Sequence, residues 1–331
     1  GPYQDESLIR LGVPALLAFF PQDVFFGVTP DSLAALTGAV AFVGLARLAT
    51  GRLKETGRSV LAGLAVSLAF LVKYTNGFYL VLAGVASLLW ARSAGGRRWA
   101  RASAGRMAGF WAAALVPIAL WFARNALVLG EITGTQRKME HLDWAPKALS
   151  DFFDHPLCNP SSVLGYPTEL LAVFWRGEFL WHGAEMSLPW LDALYGVSSL
   201  VLLLLAAWGV WHSREHVVRE RWILELLAVL AVFGAIAQLA LLSLRIEFAS
   251  WGTPTRDAPF FIHGRLMIGV LLPFCLVYVR GLQLACAWLP GRARDFAPWG
   301  LLAVWLIVVT ACEFALNAPA FESPYNWYNG P

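Results

Sequence analysis

The sequence predicts an all-α, polytopic transmembrane helical bundle, and three observations predict it. First, 58% of the 331 residues are hydrophobic and 14% are charged, with a mean hydropathy of +0.59; one soluble core could not bury that much apolar surface. Second, the apolar residues fall into runs of spanning or near-spanning length. Third, Lys and Arg concentrate in alternate segments between those runs, the pattern that orients helices in a bilayer.

The runs lie near 8–28, 31–46, 59–72, 75–91, 107–127, 188–211, 222–244, 265–286 and 297–316, giving about nine spans. Arg47, Arg52, Lys54 and Arg58 follow the second run, and Arg92, Arg97, Arg98, Arg101 and Arg106 follow the fourth. Arg214, Arg219 and Arg221 follow the sixth, and Arg292 and Arg294 the eighth. One orientation places all four basic loops in the cytoplasm. Segments 21–30, 73–76, 128–187, 245–264 and 317–331 then face outward, and residues 1–331 read as one transmembrane domain. The long outer loop 128–187 is rich in Trp, Phe and Leu. Within it "PKALSDFFDH" (146–155) and "PTELLAVFWRGEFLW" (167–181) have helical spacing and read as interfacial helices, Pro167 standing where a first-turn proline is tolerated. The intervening "HPLCNPSSVLGYP" reads as an irregular connection.

Several function classes have no sequence support. No GxGxxG or GxxxxGK[ST] loop, HExxH or GxSxG occurs, which removes the motifs of nucleotide binding, zinc proteolysis and serine hydrolysis. The four cysteines, Cys158, Cys275, Cys286 and Cys312, show no metal-ligand spacing and no disulfide framework. The basic clusters all lie in the orienting loops, so no nucleic-acid partner is implied.

What remains is a set of polar residues at the outer end. Lys73, in "VSLAFLVKYTNGFYLVLAG", is the sole charge between Arg58 and Arg92 and opens a short hairpin with Tyr74, Thr75 and Asn76. Asp31 starts the preceding span from the same side, with Asp23 a few residues earlier. Arg124 lies one turn from the outer end of its run, and His263 and Arg265 open a later run from outside. Arg245 and Glu247 end the run before that. Such a set suits the holding of an anion at the membrane surface, a lipid phosphate by its depth, while a carboxylate orients or deprotonates a second substrate. Each residue also has a plainer reading: cations at span ends snorkel to head groups, Asp31 suits a helix start, and Trp175, Trp181 and Trp190 suit an aromatic belt as well as a sugar-stacking platform.

In chain order, "LLAFFPQDVFFGVTPDSLAAL", "GLAVSLAFLVKYTNGFYLVLAG", "PIALWFARNALVLGEITG", "FWRGEFLWHG" and "HGRLMIGVLLPF" resemble the GT-C glycosyltransferases. The resemblance is greatest to the bacterial protein mannosyltransferase-like and lipid A aminoarabinose transferase-like branch, and it spans most of the chain. It implies a multispan enzyme of the bacterial inner membrane that takes a sugar from a polyisoprenyl-phosphate carrier. The sugar passes to a lipid, glycan or protein acceptor on the extracytoplasmic face. Lys73 matches the lysine of the family's GLAxLTK motif, associated with the donor phosphate, and Arg124 matches the arginine of its WxxRN motif. Asp31 matches an acid at the start of a family span. Arg265 matches a basic residue of a GRxxxP-like span, although here the proline comes later, at Pro273. On this reading Asp31 and His263 are candidate catalytic groups, Lys73, Arg124 and Arg265 hold the donor phosphate, and Asp23, Tyr74, Trp175 and Trp181 contact substrate.

A divalent cation is implied only where two acids meet, as in some GT-C relatives, and no metal ligand is assigned. The family's main acid lies in the first outer loop. Taking Asp5 and Glu6 for it would turn the basic loops 46–58 and 92–106 outward, so the chain is expected to lack its N-terminal spans. The alternative is a transporter or flippase of lipid-linked sugar. Transporters gather polar groups at the midplane, where this sequence is nearly all apolar with Gln238 the main exception.

Overall fold

The computed structural model describes residues 6–22, 29–93, 101–178, 180–181, 184–212, 217–251 and 254–323. The chain is all-α. Its helices are α1 (Ser7–Ala18), α2 (Pro30–Ala49), α3 (Thr56–Val72), α4 (Phe78–Ser93), α5 (Arg101–Leu129), α6 (Gln136–His141), α7 (Pro160–Arg176), α8 (Pro189–His212), α9 (Arg219–Arg245), α10 (Leu271–Ala285) and α11 (Gly291–Glu322). Two small antiparallel ladders accompany them: β1 (Ala145–Pro146) with β4 (Ile246–Glu247), and β2 (Leu180–Trp181) with β3 (Ala184–Glu185).

Among the described residues, seven helical segments are long and apolar enough to cross a membrane: Pro30–Ala49, Tyr74–Arg92, Ala104–Leu129, Pro189–His212, Arg219–Arg245, Gly264–Trp288 and Gly291–Glu322. The expected nine included two more, which correspond to α1 and α3, both shorter than 18 residues. The run 8–28 yields a helix of 12 residues, about 18 Å long against a hydrocarbon core of about 30 Å. Phe20 precedes Pro21, and a residue before proline is pushed out of the helical region, so the helix stops at Ala18. Helix α3 has 17 residues and ends where Lys73 turns to extended backbone, φ −153° and ψ 117°.

The hub of the bundle is α10 with its flanking 3-10 turns: 83% of this apolar stretch is buried, against 17% for α5 and 11% for α11 at the periphery. Helices α1, α2, α8 and α9 all pack on α10, while α5 packs on α3 and α3 on α2. At the centre Trp175 is fully enclosed. Its ring stacks on Tyr195 (5.2 Å between centroids, 6° between planes) and on Phe20 (4.6 Å), with Phe274, Tyr278 and Trp305 edge-on. Its indole N–H donates to Ser199 Oγ at 2.7 Å, which removes the one polar cost of burying it.

The outer-loop helices differ from expectation. Residues 146–155 contain a 3-10 turn at Leu149–Phe152 rather than an α-helix, and the stretch expected to be irregular is in part the start of α7. Asn159-Pro160 supplies a proline at the first helical position, where its missing N–H costs nothing. Pro167 therefore falls inside the helix, not at its start. Residues 170–175 of α7 are all buried, so this half enters the bundle instead of lying along it. The helix ends at Gly177, whose φ of 80° suits glycine in a C-terminal cap.

Candidate functional site

At the end of the bundle away from the basic loops, four chain segments meet. Lys73 closes α3 and leads into a 3-10 turn, Tyr74–Gly77. Asp31 lies in the first turn of α2, behind Pro30, with Thr29 at the cap position making no side-chain cap bond. Asp31 thus stands at the helix start as expected, where an acid suits the helix dipole, and its side chain does more. It forms an ion pair with the Lys73 ammonium, and both side chains are largely buried, 14% and 12% exposed. Lys73 Nζ also donates to the backbone carbonyl of Arg265 at 2.7 Å.

The third segment is His263–Val270. Arg265 Nε lies 3.3 Å from Glu178 Oε2, and the Arg265 backbone N–H donates to Glu178 Oε1 at 3.4 Å. Glu178 follows Gly177 directly, so the left-handed turn that ends α7 delivers this carboxylate to the cluster. His263 Nε2 is 4.0 Å from the same carboxylate, too far for a hydrogen bond. The 263–270 segment touches α7 so closely that a Cβ at Gly264 would come within 2.3 Å of the Val173 carbonyl oxygen.

The Lys73 turn is clamped on all sides. Thr75 Oγ1 donates to the Leu266 carbonyl (3.0 Å), Asn76 Nδ2 to Ala69 (3.0 Å) and the Tyr79 hydroxyl to Gly269 (2.9 Å). Gln238, the polar residue that stood out in α9, accepts from the Phe78 N–H at 2.7 Å and donates to the Tyr74 carbonyl at 3.0 Å. Its place inside an apolar helix is thus explained by a backbone that would otherwise be unsatisfied.

Burial and surrounding cations set the protonation of the cluster. Burial lowers the Lys73 pKa below its usual value, and the hydrogen bond and charge of Asp31 work against that fall. Burial, and then Arg265, Lys138 and Lys73 in turn, depress His263 to about 4, so its imidazole is neutral at pH 7. Its Nδ1 is buried with no hydrogen-bond partner among the described residues. Arg265, by contrast, is 51% exposed and presents a free edge to solvent.

Arg124 stands beside this cluster rather than in it. Its guanidinium lies 5.3 Å over the Trp121 ring, and Trp121 donates its indole N–H to the Tyr74 hydroxyl. Arg124 is exposed and has no ion pair with another described residue. Asp31, Lys73, His263 and Arg265 are thus brought together, with Tyr74 and Arg124 on the flank. Trp175 corrects the expectation of a substrate-facing or belt residue: it is a core residue with no exposed surface. Trp181 is described through its backbone alone, paired with Ala184, and its side chain and Asp23 lie outside what is described.

Among the described residues no three His, Cys, Asp or Glu side chains converge as cation ligands. The two acids of the cluster are each paired with a cation of the protein, Asp31 with Lys73 and Glu178 with Arg265. Sequence reasoning missed Glu178, although Gly177-Glu178 at a helix end was a usable signal. It also missed a buried network at the other end of the spans, where Glu225 Oε1 meets Arg221 Nε (2.9 Å) and Arg280 Nε (3.1 Å). Charges inside two predicted spans were the signal there.

Comparison of the chain with protein-family models, with curated proteins and with solved structures gives no match.

Proposed function

We propose that this end of the bundle binds the phosphate of a polyisoprenyl-phosphate sugar and serves transfer of the sugar to an acceptor on the extracytoplasmic face of a bacterial inner membrane. The carrying observation is the convergence of Asp31, Lys73, Glu178, His263 and Arg265 from four separate segments at the end opposite the basic loops. In this reading the acceptor oxygen attacks the anomeric carbon and the bond from that carbon to the phosphate oxygen breaks. The exposed edge of Arg265, with Arg124 beside it, stabilises the departing phosphate. The acceptor proton passes to His263, which is neutral at pH 7 although its pKa, depressed to about 4, makes it a weak base. Lys73 and Asp31 fix the Arg265 backbone in place. We place α3 across the membrane as well, packed between α2 and α5, and the segments around α6 and the first half of α7 at the outer interface.

The test is sugar transfer from a radiolabelled polyisoprenyl-phosphate sugar in vesicles carrying the full natural protein. Arg265→Gln is expected to lower turnover about 10- to 100-fold, as for the loss of one charged hydrogen bond. Turnover equal to that of the parent would count against the reading. A second reading, movement of a lipid-linked sugar without transfer, is favoured by the buried Arg221–Glu225–Arg280 network, because ionisable groups within spans mark pathways. Translocation of a fluorescent lipid-linked sugar without any product would select it.

A further inference from the structure

At the opposite end of α2 lies a cleft of about 670 Å³ between α1, α2 and α9. Its charged lining is Arg10, Arg47, Arg52 and Arg221 with Glu6 and Glu220, two more cations than anions. The cations are not equivalent. Arg10 is paired with Glu6, Arg52 with Glu220 and Arg221 with Glu225, whereas Arg47 has no ion pair with another described residue. Ile9, Val43 and Leu224 give the lining an apolar part. Arg47 and Asp31 are sixteen residues apart on one helix, about 24 Å, so this cleft is remote from the cluster described above.

We infer that this cleft is a binding site for the phosphate head group of an anionic membrane lipid, with Arg47 as the principal contact. Charge complementarity selects an anion. The apolar part of the lining and the position at the helix ends, level with the basic loops that the charge pattern assigns to the cytoplasmic side, select a lipid over a free phosphate. Acyl chains would run along Ile9, Val43 and Leu224 while the head group meets Arg47.

The test uses purified protein and a short-chain fluorescent phosphatidylglycerol, with the matching phosphatidylcholine and inorganic phosphate as comparisons. The expected result is saturable binding that prefers phosphatidylglycerol at least about tenfold, with Arg47→Gln lowering affinity about fivefold. Arg92→Gln, an exposed cation at the same end outside the cleft, should change nothing. Ala46→Phe, which fills the cleft without altering charge, should lose the same preference as Arg47→Gln, with each variant's thermal unfolding checked first. Equal binding of the two lipids would overturn the proposal. So would equal losses in Arg47→Gln and Arg92→Gln, which would mean a diffuse basic surface. Displacement by inorganic phosphate at concentrations comparable to the lipid would assign the cleft to free phosphate instead.

Discussion

Replacing Asp31 by Asn removes the counter-charge of a lysine that is only 12% exposed. Removing one partner of a buried pair costs about 3–5 kcal/mol, because the remaining charge is left without compensation. Two features of this site reduce the figure. The ammonium keeps the Arg265 carbonyl at 2.7 Å, and burial already lowers its pKa, so it can shed its proton. The expected loss is therefore about 2–3 kcal/mol at pH 7. The sign of its pH dependence follows from the lowered Lys73 pKa. Without Asp31 the native state binds fewer protons than the unfolded chain up to the ordinary lysine range near about 10.4. Stability of the variant should thus recover as pH rises from 7 toward 10. The double variant Asp31→Asn with Lys73→Met, which leaves no orphaned charge, should regain most of the loss. Unfolding by sodium dodecyl sulfate, followed by tryptophan fluorescence in mixed micelles, measures all three proteins. A single variant within about 0.5 kcal/mol of the parent, or a double variant no better than the single, would refute the reasoning.

Three further outcomes are expected. Glu225→Gln removes the carboxylate charge shared by Arg221 and by Arg280, whose side chain is 2% exposed, and should lower stability by about 3–5 kcal/mol in the same unfolding assay. Gly269→Ala would bring a Cβ within 2.0 Å of Asn76 Oδ1 in a fully buried side chain, so little folded protein is expected by size-exclusion chromatography; Gly57→Ala, which meets nothing within 4 Å, should be neutral or slightly stabilising. His263, depressed from 6.5 to about 4, contributes no penalty above pH 6.5 and destabilises the fold as pH falls toward 4. His263→Gln should recover up to about 3 kcal/mol at pH 4 and nothing at pH 7, read from unfolding midpoints at the two pH values.

The sequence made the ends of the helices more legible than their lengths. Lys73, Asp31 and Arg265 stand out because each is a charge at the edge of an apolar run, and alternate basic loops assign those edges to one side. Which carboxylate meets which cation was not legible. The Lys73–Asp31 pair spans 42 positions and the Arg265–Glu178 pair 87, and such pairings depend on how α2, α7 and the 263–270 segment pack. Glu178 was hidden for a related reason: α7 ends at Arg176, before Gly177 with its φ of 80°, and not at Trp181. Trp175 misled because an aromatic near a loop fits a membrane belt by composition, whereas the pairing of its ring with Tyr195 and its N–H with Ser199 arises only from the packing of α7 on α8. In the first run the described helix stops at Ala18, and hydropathy does not register the backbone restriction that Pro21 places on Phe20.

The central claim is that the Arg265 end of the bundle receives a lipid phosphate, and equilibrium binding of a labelled polyisoprenyl phosphate to the purified protein tests it most directly. The account predicts saturable binding that falls about 10- to 100-fold in Arg265→Gln and is unchanged in Arg92→Gln at the other end of the bundle. Absence of saturable binding, or equal affinity in the parent and Arg265→Gln, would contradict it.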